Sequence, residues 1–453
     1  MRPYSRYGWR GPICIICCSV SISPASCLFR SCSSREAEQD SFSVLSMIVM
    51  DRLRIFVLLL ACLVLSAIPL QGGVFRSGID VLDASDCRAL KGKKVALITN
   101  AAGVTVRGES NYAMLLRNGI SLSFLMAPEH GFAVNVEAGK KTGGSVIGDT
   151  LRVHSLYGAS KKPSVALLKT VDLVVFDLQD VGARCYTYIS TMKLAMEACM
   201  EAGVSFMVLD RPNPVAPLSP SGFMLDKGYE SFVGAVAVPF VHAMTVGEIA
   251  LLLKKSSFQG LDLQVVKMEG YRRELFGDEL PGFAFVSPSP NIRNIETAVV
   301  YPATVMLEAT AVSEGRGTDA PFLQFGAPFI DSTRLLEEVK ACRLPGVEFF
   351  SVSFIPKSGK FRNEQCFGLK LRVSDRKRFS PFTTSAALLL VLQKLYPSSL
   401  GLKSGGVFFD RLAGTPRFRE MILEQVPVEV IVEASRNDVR EFQRTHPARF
   451  IYP

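Results

Sequence analysis

Four carboxyl groups stand out by where they sit in the chain. Glu129 lies in Pro128-Glu129-His130-Gly131, Asp177 and Asp180 lie in the polar run from Asp177 to Arg184, and Glu314 lies in Ser313-Glu314-Gly315-Arg316-Gly317-Thr318. A carboxyl held beside apolar walls has its pKa raised and can serve as a general acid, while a second one can serve as base or nucleophile. Arg184 and Arg316 add guanidinium forks, which grip a carboxylate in two-pronged fashion. Arg316 is flanked by glycines, which suits a loop that approaches a ligand closely. His130 and His242 offer ring nitrogens, Tyr186 offers a ring face, and Asn100 and Asn291 offer amides to a polar ligand. Each has a plainer reading. Asp177 or Asp180 could pair with Arg184, Asn291 could shape a turn beside proline, His242 could pack at a helix start, and one of Tyr186 and Tyr188 could turn into the core.

The elements that must position these groups are legible as apolar, β-branched runs. Buried strands are expected at 95–99, 120–126, 173–178 and 204–209, and helices at 111–117 and 189–202, the second stopped by Gly203. The segments Pro128 to Gly131, Asp177 to Arg184 and Leu209 to Pro214 each follow one of these strands directly. Strand and helix in alternation predict an α/β fold with a doubly wound parallel sheet, whose ligands lie outside the carboxyl ends of the strands. The pattern changes after the Pro-rich stretch 211–220. Thr245-Val246-Gly247-Glu248 is a capping box that opens a helix, strands are expected at 349–354 and 367–373, and a helix at 385–395. The expected organisation is a sheet domain over 76–235 and a smaller α+β domain over 236–453.

The front of the chain is different. Residues 1–49 hold five of the eleven cysteines among serines and show no core-forming period, so they read as a non-structural upstream segment. Residues 50–75 have a charged start, a short apolar centre and a small-residue exit, the pattern of a signal peptide or, if uncleaved, a membrane anchor. Export across the cytoplasmic membrane follows, with a periplasmic location. Without residues 1–75, 44 Lys and Arg face 38 Asp and Glu, so the formal +9 falls to +6 and is spread along the chain. No dense basic run with interleaved aromatics argues for nucleic acid. Cys87, Cys185, Cys199, Cys342 and Cys366 are widely spaced and are expected to be buried free thiols, with no metal site. The loop after the first strand, Asn100 to Thr105, lacks the Gly-x-Gly-x-x-Gly that a dinucleotide needs, so no cofactor is expected.

Taken in order, Thr99-Asn100, Pro128-Glu129-His130-Gly131, Ser155-Leu156-Tyr157-Gly158, Asp177 through Thr191, Leu209 to Pro214, Pro288-Ser289-Pro290-Asn291, Ser313 to Thr318 and Gly326-Ala327-Pro328 form a specific set. The set resembles the exo-acting β-N-acetylmuramidases, glycoside hydrolase family 171, formerly a bacterial domain-of-unknown-function family. The resemblance runs from about Gly78 to the C-terminus. It implies a Rossmann-like N-terminal domain, a smaller C-terminal domain, a cleft between them, and removal of terminal N-acetylmuramic acid from peptidoglycan fragments.

Under that resemblance Glu129 is the general acid, and Arg184 and Arg316 become candidates for the lactyl carboxylate of muramic acid. In an extended segment Glu129 and His130 would point to opposite sides, so His130 could equally hold backbone. The second group stays open among Asp177, Asp180, Glu308, Glu314 and the substrate's own acetamido group. The family pattern has Gly where this chain has Ala243, and Glu-Gly-Thr-Asn where this chain has Glu308-Ala309-Thr310-Ala311. Those departures motivate the alternative of a non-catalytic peptidoglycan- or muropeptide-binding protein on the same fold.

Overall fold

The computed structural model describes residues 49–50, 52–53, 55–59, 74–148, 150–402 and 406–453. The upstream segment and most of the signal segment named above lie outside the described residues. Residues 72–453 form one compact unit.

The larger sheet holds β1 (Lys94–Ile98), β2 (Ser121–Ala127), β3 (Ser145–Ile147), β4 (Leu151–Ser155), β5 (Leu173–Phe176), β6 (Ser205–Leu209) and β7 (Leu263–Val266) in the order β3-β4-β2-β1-β5-β6-β7. All neighbours run parallel except β3, which pairs antiparallel with β4 at one edge. Successive side chains on a strand face opposite ways, and the core divides accordingly. Ala96 and Ile98 join one apolar cluster with Ile189 and Met192, while Val95 and Leu97 join another with Ile79, Leu82, Met114 and Leu115. Helices therefore cover both faces. Among those of this half, α1 (Gly78–Ala84) and α2 (Asn111–Arg117) lie on one side, and α3 (Val165–Leu168), α4 (Tyr188–Ala202) and α5 (Val246–Ser256) follow in the chain. Helix α4 stops at Gly203, whose φ of 70° is left-handed backbone that glycine adopts freely. The capping box of α5 is closed in both directions between Thr245 and Glu248.

The remaining chain supplies α6 (Ile295–Thr304), β8 (Gln324–Ala327), α7 (Ser332–Ala341), β9 (Val347–Phe354), β10 (Cys366–Val373), α8 (Pro381–Leu395), α9 (Gly406–Ala413), α10 (Arg417–Leu423) and α11 (Val428–Thr445). The strands form a small antiparallel sheet in the order β8-β10-β9. Helix α8 begins four residues ahead of the sequence expectation because Pro381 occupies its first turn, where a missing N–H costs nothing. The first apolar cluster continues into this half through Phe325, Leu369 and Leu388. Four of the five cysteines named above are buried. Cys342 departs from the expectation and is exposed, at the C-terminal end of α7 where the helix turns its back to solvent.

Candidate active site

Beyond the carboxyl end of β2 lies a cavity of about 190 Å³ whose lining includes Glu129, His130, Tyr157, Tyr186 and Thr187 from the sheet half, and Asn291, Glu308 and Arg316 from the other half. It adjoins a larger cavity of about 820 Å³, and the two share Ala138, Asn291, Glu308 and Arg316. Glu314 lines only the larger one.

Glu129 is buried, and both of its carboxyl oxygens are held. Oε1 accepts from the Gly139 amide at 2.8 Å, and Oε2 accepts from the Thr187 hydroxyl at 2.7 Å. Thr187 is the residue at which α4 begins, so the first turn of that helix fixes the plane of the carboxyl. Tyr157 stands beside it. Burial, reinforced by the negative charge of Glu129, raises the Tyr157 phenol above its ordinary range and keeps it a neutral donor. The expectation that Glu129 and His130 face opposite ways fails, because His130 is not extended. Its φ is 73°, followed by Gly131 at 74°, and this left-handed turn brings both side chains to the same cavity. His130 Nδ1 lies 2.7 Å from the Val136 carbonyl, so it is Nδ1 that carries the proton and Nε2 that is left as acceptor. Burial lowers the His130 pKa, against the opposing pull of Glu129.

Across the cavity, Arg316 Nη1 is shared by two carboxylates, Glu308 at 3.0 Å and Glu314 at 2.9 Å. The two acids then part company. Burial pushes Glu308 above the ordinary glutamate range despite Arg316. Burial also works to raise Glu314, but Arg316 and Lys360 together hold it below that range. The Lys360 ammonium is 3.3 Å from Glu314 and donates to the carbonyls of Leu307, Glu308 and Val312, each at 2.9 Å. It thereby fastens the 3₁₀ turn Val305–Ala309 that carries Glu308. Lys360 was not singled out in the sequence, since a lysine in a polar hairpin gives no signal of its own. Thr187 and Tyr157 were visible only as members of longer motifs.

Several sequence candidates lie outside both cavities. Asp177 is sealed and receives Arg211 in a fork, Nε at 2.5 Å and Nη2 at 2.9 Å, together with Asn111 Nδ2 at 2.7 Å. Asp180 accepts from the Gly182 amide at 2.8 Å and lies 3.4 Å from His242 Nε2. His242 itself accepts from the Met244 amide through Nδ1. Neither aspartate pairs with Arg184, contrary to the plainer reading. Arg184 is fully buried and donates to the carbonyls of Phe223 at 2.7 Å, Val238 at 3.0 Å and Ala413, so no fork is left for a ligand carboxylate. Burial without a carboxylate partner lowers it to about 10. Asn100 bonds the Tyr188 hydroxyl at 2.9 Å and the Ala102 amide at 3.0 Å. The third strand-end motif is also structural. Asp210 receives the Thr245 and Tyr452 hydroxyls and the Gly247 amide, and Asn213 ties the Val215 amide to the Met244 carbonyl.

Known proteins resemble this chain over most of its length. The family model described as "Exo-beta-N-acetylmuramidase NamZ, N-terminal" matches residues 95–296, and the corresponding C-terminal model matches residues 299–452. The chain belongs to the NamZ exo-β-N-acetylmuramidase family. The peptidoglycan β-N-acetylmuramidase NamZ of Bacillus subtilis (strain 168) is 42% identical over 381 residues, which cover 83% of this chain and 91% of that protein. Two crystal structures of DUF1343 family proteins from Bacteroides fragilis NCTC 9343 share the fold. One is 32% identical with a TM-score of 0.77, the other 28% identical with a TM-score of 0.66, and each match covers 84% of this chain and 99% of the other.

Within the NamZ pattern, the departures now have places. Ala243 has a φ of 55°, the left-handed region in which the family's glycine would be unstrained. The Ala243 carbonyl accepts from Arg273 Nη1 at 2.6 Å, which helps hold the strained turn. Ala309 is buried, and neither Ala309 nor Ala311 lines the two cavities described above.

Proposed function

We propose that this chain is an exo-acting β-N-acetylmuramidase that hydrolyses terminal N-acetylmuramic acid from peptidoglycan fragments. Membership of the NamZ family supports the reaction class. The observation that carries the reading is the placement of Glu129 on a cavity lining that also carries a second carboxyl, Glu308. Glu129 protonates the glycosidic oxygen as the bond breaks, and Glu308, with a carboxyl that burial holds above the ordinary glutamate range, takes the proton of the attacking water. Tyr186 and Asn291 flank the sugar, and His130 presents Nε2 to a hydroxyl. Arg316, whose side chain lines both cavities, supplies the guanidinium for the lactyl carboxylate. Residues 50–75 act as the export signal and bring the enzyme to the periplasm, where its substrate is. Mass analysis of the product secreted from a Met50 start tests that step.

The test of the reaction is release of N-acetylmuramic acid from a muramic-acid-terminated disaccharide and from its chromogenic β-glycoside. Glu129→Gln is expected to lower kcat by roughly a hundredfold or more with sugar affinity retained. A folded parent that binds the sugar and releases none would instead favour the non-catalytic binding protein.

A further inference from the structure

Apart from the residues it shares with the small one, the larger cavity has no role in the chemistry above, and it continues the small one through that shared wall. Its outer lining comes from the antiparallel sheet and the hairpin between β9 and β10, and includes Phe354, Ile355, Lys357 and Lys370. Most charges around it are already engaged. Arg316 and Lys360 are bound to Glu308 and Glu314 as described, Glu137 pairs with Lys140 at 2.6 Å, and Arg293 donates to the Thr318 and Asp319 carbonyls. Lys357 and Lys370 differ: neither side chain has a partner among the described residues. Ile355 on the same lining is 53% exposed. Phe354 and Ile355 on this lining, next to two free ammonium groups, combine an apolar surface for a sugar with a carboxylate-binding one.

We infer that this face is a binding site for the leaving-group side of the substrate, and that Lys357 and Lys370 together take the lactyl carboxylate of the next muramic acid along the glycan. The inference rests on the muramidase reading and deepens it. The small cavity holds Glu129 and with it the scissile bond, so the chain beyond that bond runs outward over the larger one, where the unneutralised charge is positive. The consequence is a preference for longer, acidic fragments over the bare disaccharide.

The experiment uses the full chain with three probes: the disaccharide, a tetrasaccharide of two such units with its internal lactyl carboxyl free, and the same tetrasaccharide with that carboxyl amidated. The parent is expected to favour the acidic tetrasaccharide over the amidated one by roughly fivefold to tenfold in kcat/KM, the scale of two partly exposed ion pairs. That ratio should shrink as salt is raised, approach one in the double variant Lys357→Ala/Lys370→Ala, and survive in Lys357→Arg/Lys370→Arg. A parent that treats the two tetrasaccharides alike, or a double Ala variant that keeps the preference, overturns the inference. Calorimetric affinities of the same glycans for Glu129→Gln protein read the same contrast without turnover. Failure of the muramidase reading appears as no release from any probe, and the affinity ratio still decides the lysines.

Discussion

Replacing Arg211 by Met strands the Asp177 carboxylate beneath the strand ends, and the cost separates a structural aspartate from a catalytic one. Asp177 is fully buried and Arg211 is 4% exposed, with two charged hydrogen bonds between them. Removing one partner of a buried ion pair costs about 3–5 kcal/mol, because the remaining charge is left without water or counter-ion. The bond from Asn111 survives and pulls the value toward the lower end, while loss of the Arg211 bond to the Val104 carbonyl pulls it up. For a compact unit of residues 72–453, an unfolding entropy of about 2.1 cal/mol/K per residue gives ~0.8 kcal/mol per degree, so Tm should fall by about 4–6 °C. The assay is thermal and urea unfolding of parent and variant, with kcat/KM measured well below both transitions. Turnover should change by less than the stability does. Adding Asp177→Asn should restore part of the loss, since the uncompensated charge is then gone and the two sites are coupled. An Arg211→Met protein that melts with the parent but has lost its turnover would refute the assignment and return Asp177 to the reacting site.

Two further outcomes follow from the buried acids. Burial holds Glu308 above the ordinary glutamate range, so a base there is lost as pH falls, sooner than for an ordinary glutamate; Glu308→Gln should cost roughly a hundredfold in kcat and abolish that acid limb, and a pH–rate profile with an unchanged acid limb would exclude Glu308 as the base. Asp210 is raised by burial from 3.8 to about 6. The folded state therefore binds this proton more tightly, its contribution is full below pH 3.8, and it is lost as pH rises through about 6. Between pH 4 and 7 the parent should lose about 2 kcal/mol of stability relative to Asp210→Asn. Parallel pH–stability curves for the two proteins would contradict the assignment.

The sequence by itself determined the parallel sheet and its helices, because strands buried on both faces are written as short unbroken apolar runs and helix ends carry local capping chemistry. β5, β6, α4 and α5 were readable in this way. The edge strands β3 and β7 escaped because half-exposed residues leave no apolar run. β8 escaped for another reason. Gly326 faces Gly368 across the ladder, and a Cβ at Gly326 would meet the Phe367 carbonyl oxygen at 2.5 Å, so close approach demands a residue whose own propensity argues against a strand. The sequence likewise marked Glu129, Arg316 and Asn291 by their motifs. It could not say which polar groups are consumed in holding the fold. Asp177 is taken by Arg211, Asp180 lies against His242, and Arg184 holds a carbonyl 229 residues away, whereas Glu308, Arg316 and Lys360 meet at the cavity wall. Periodicity and capping act over a turn or two of chain, and so are local properties. Whether a buried charge is neutralised, and whether a carboxyl faces a cavity, depends on segments that only the folded chain brings within a few ångströms of each other.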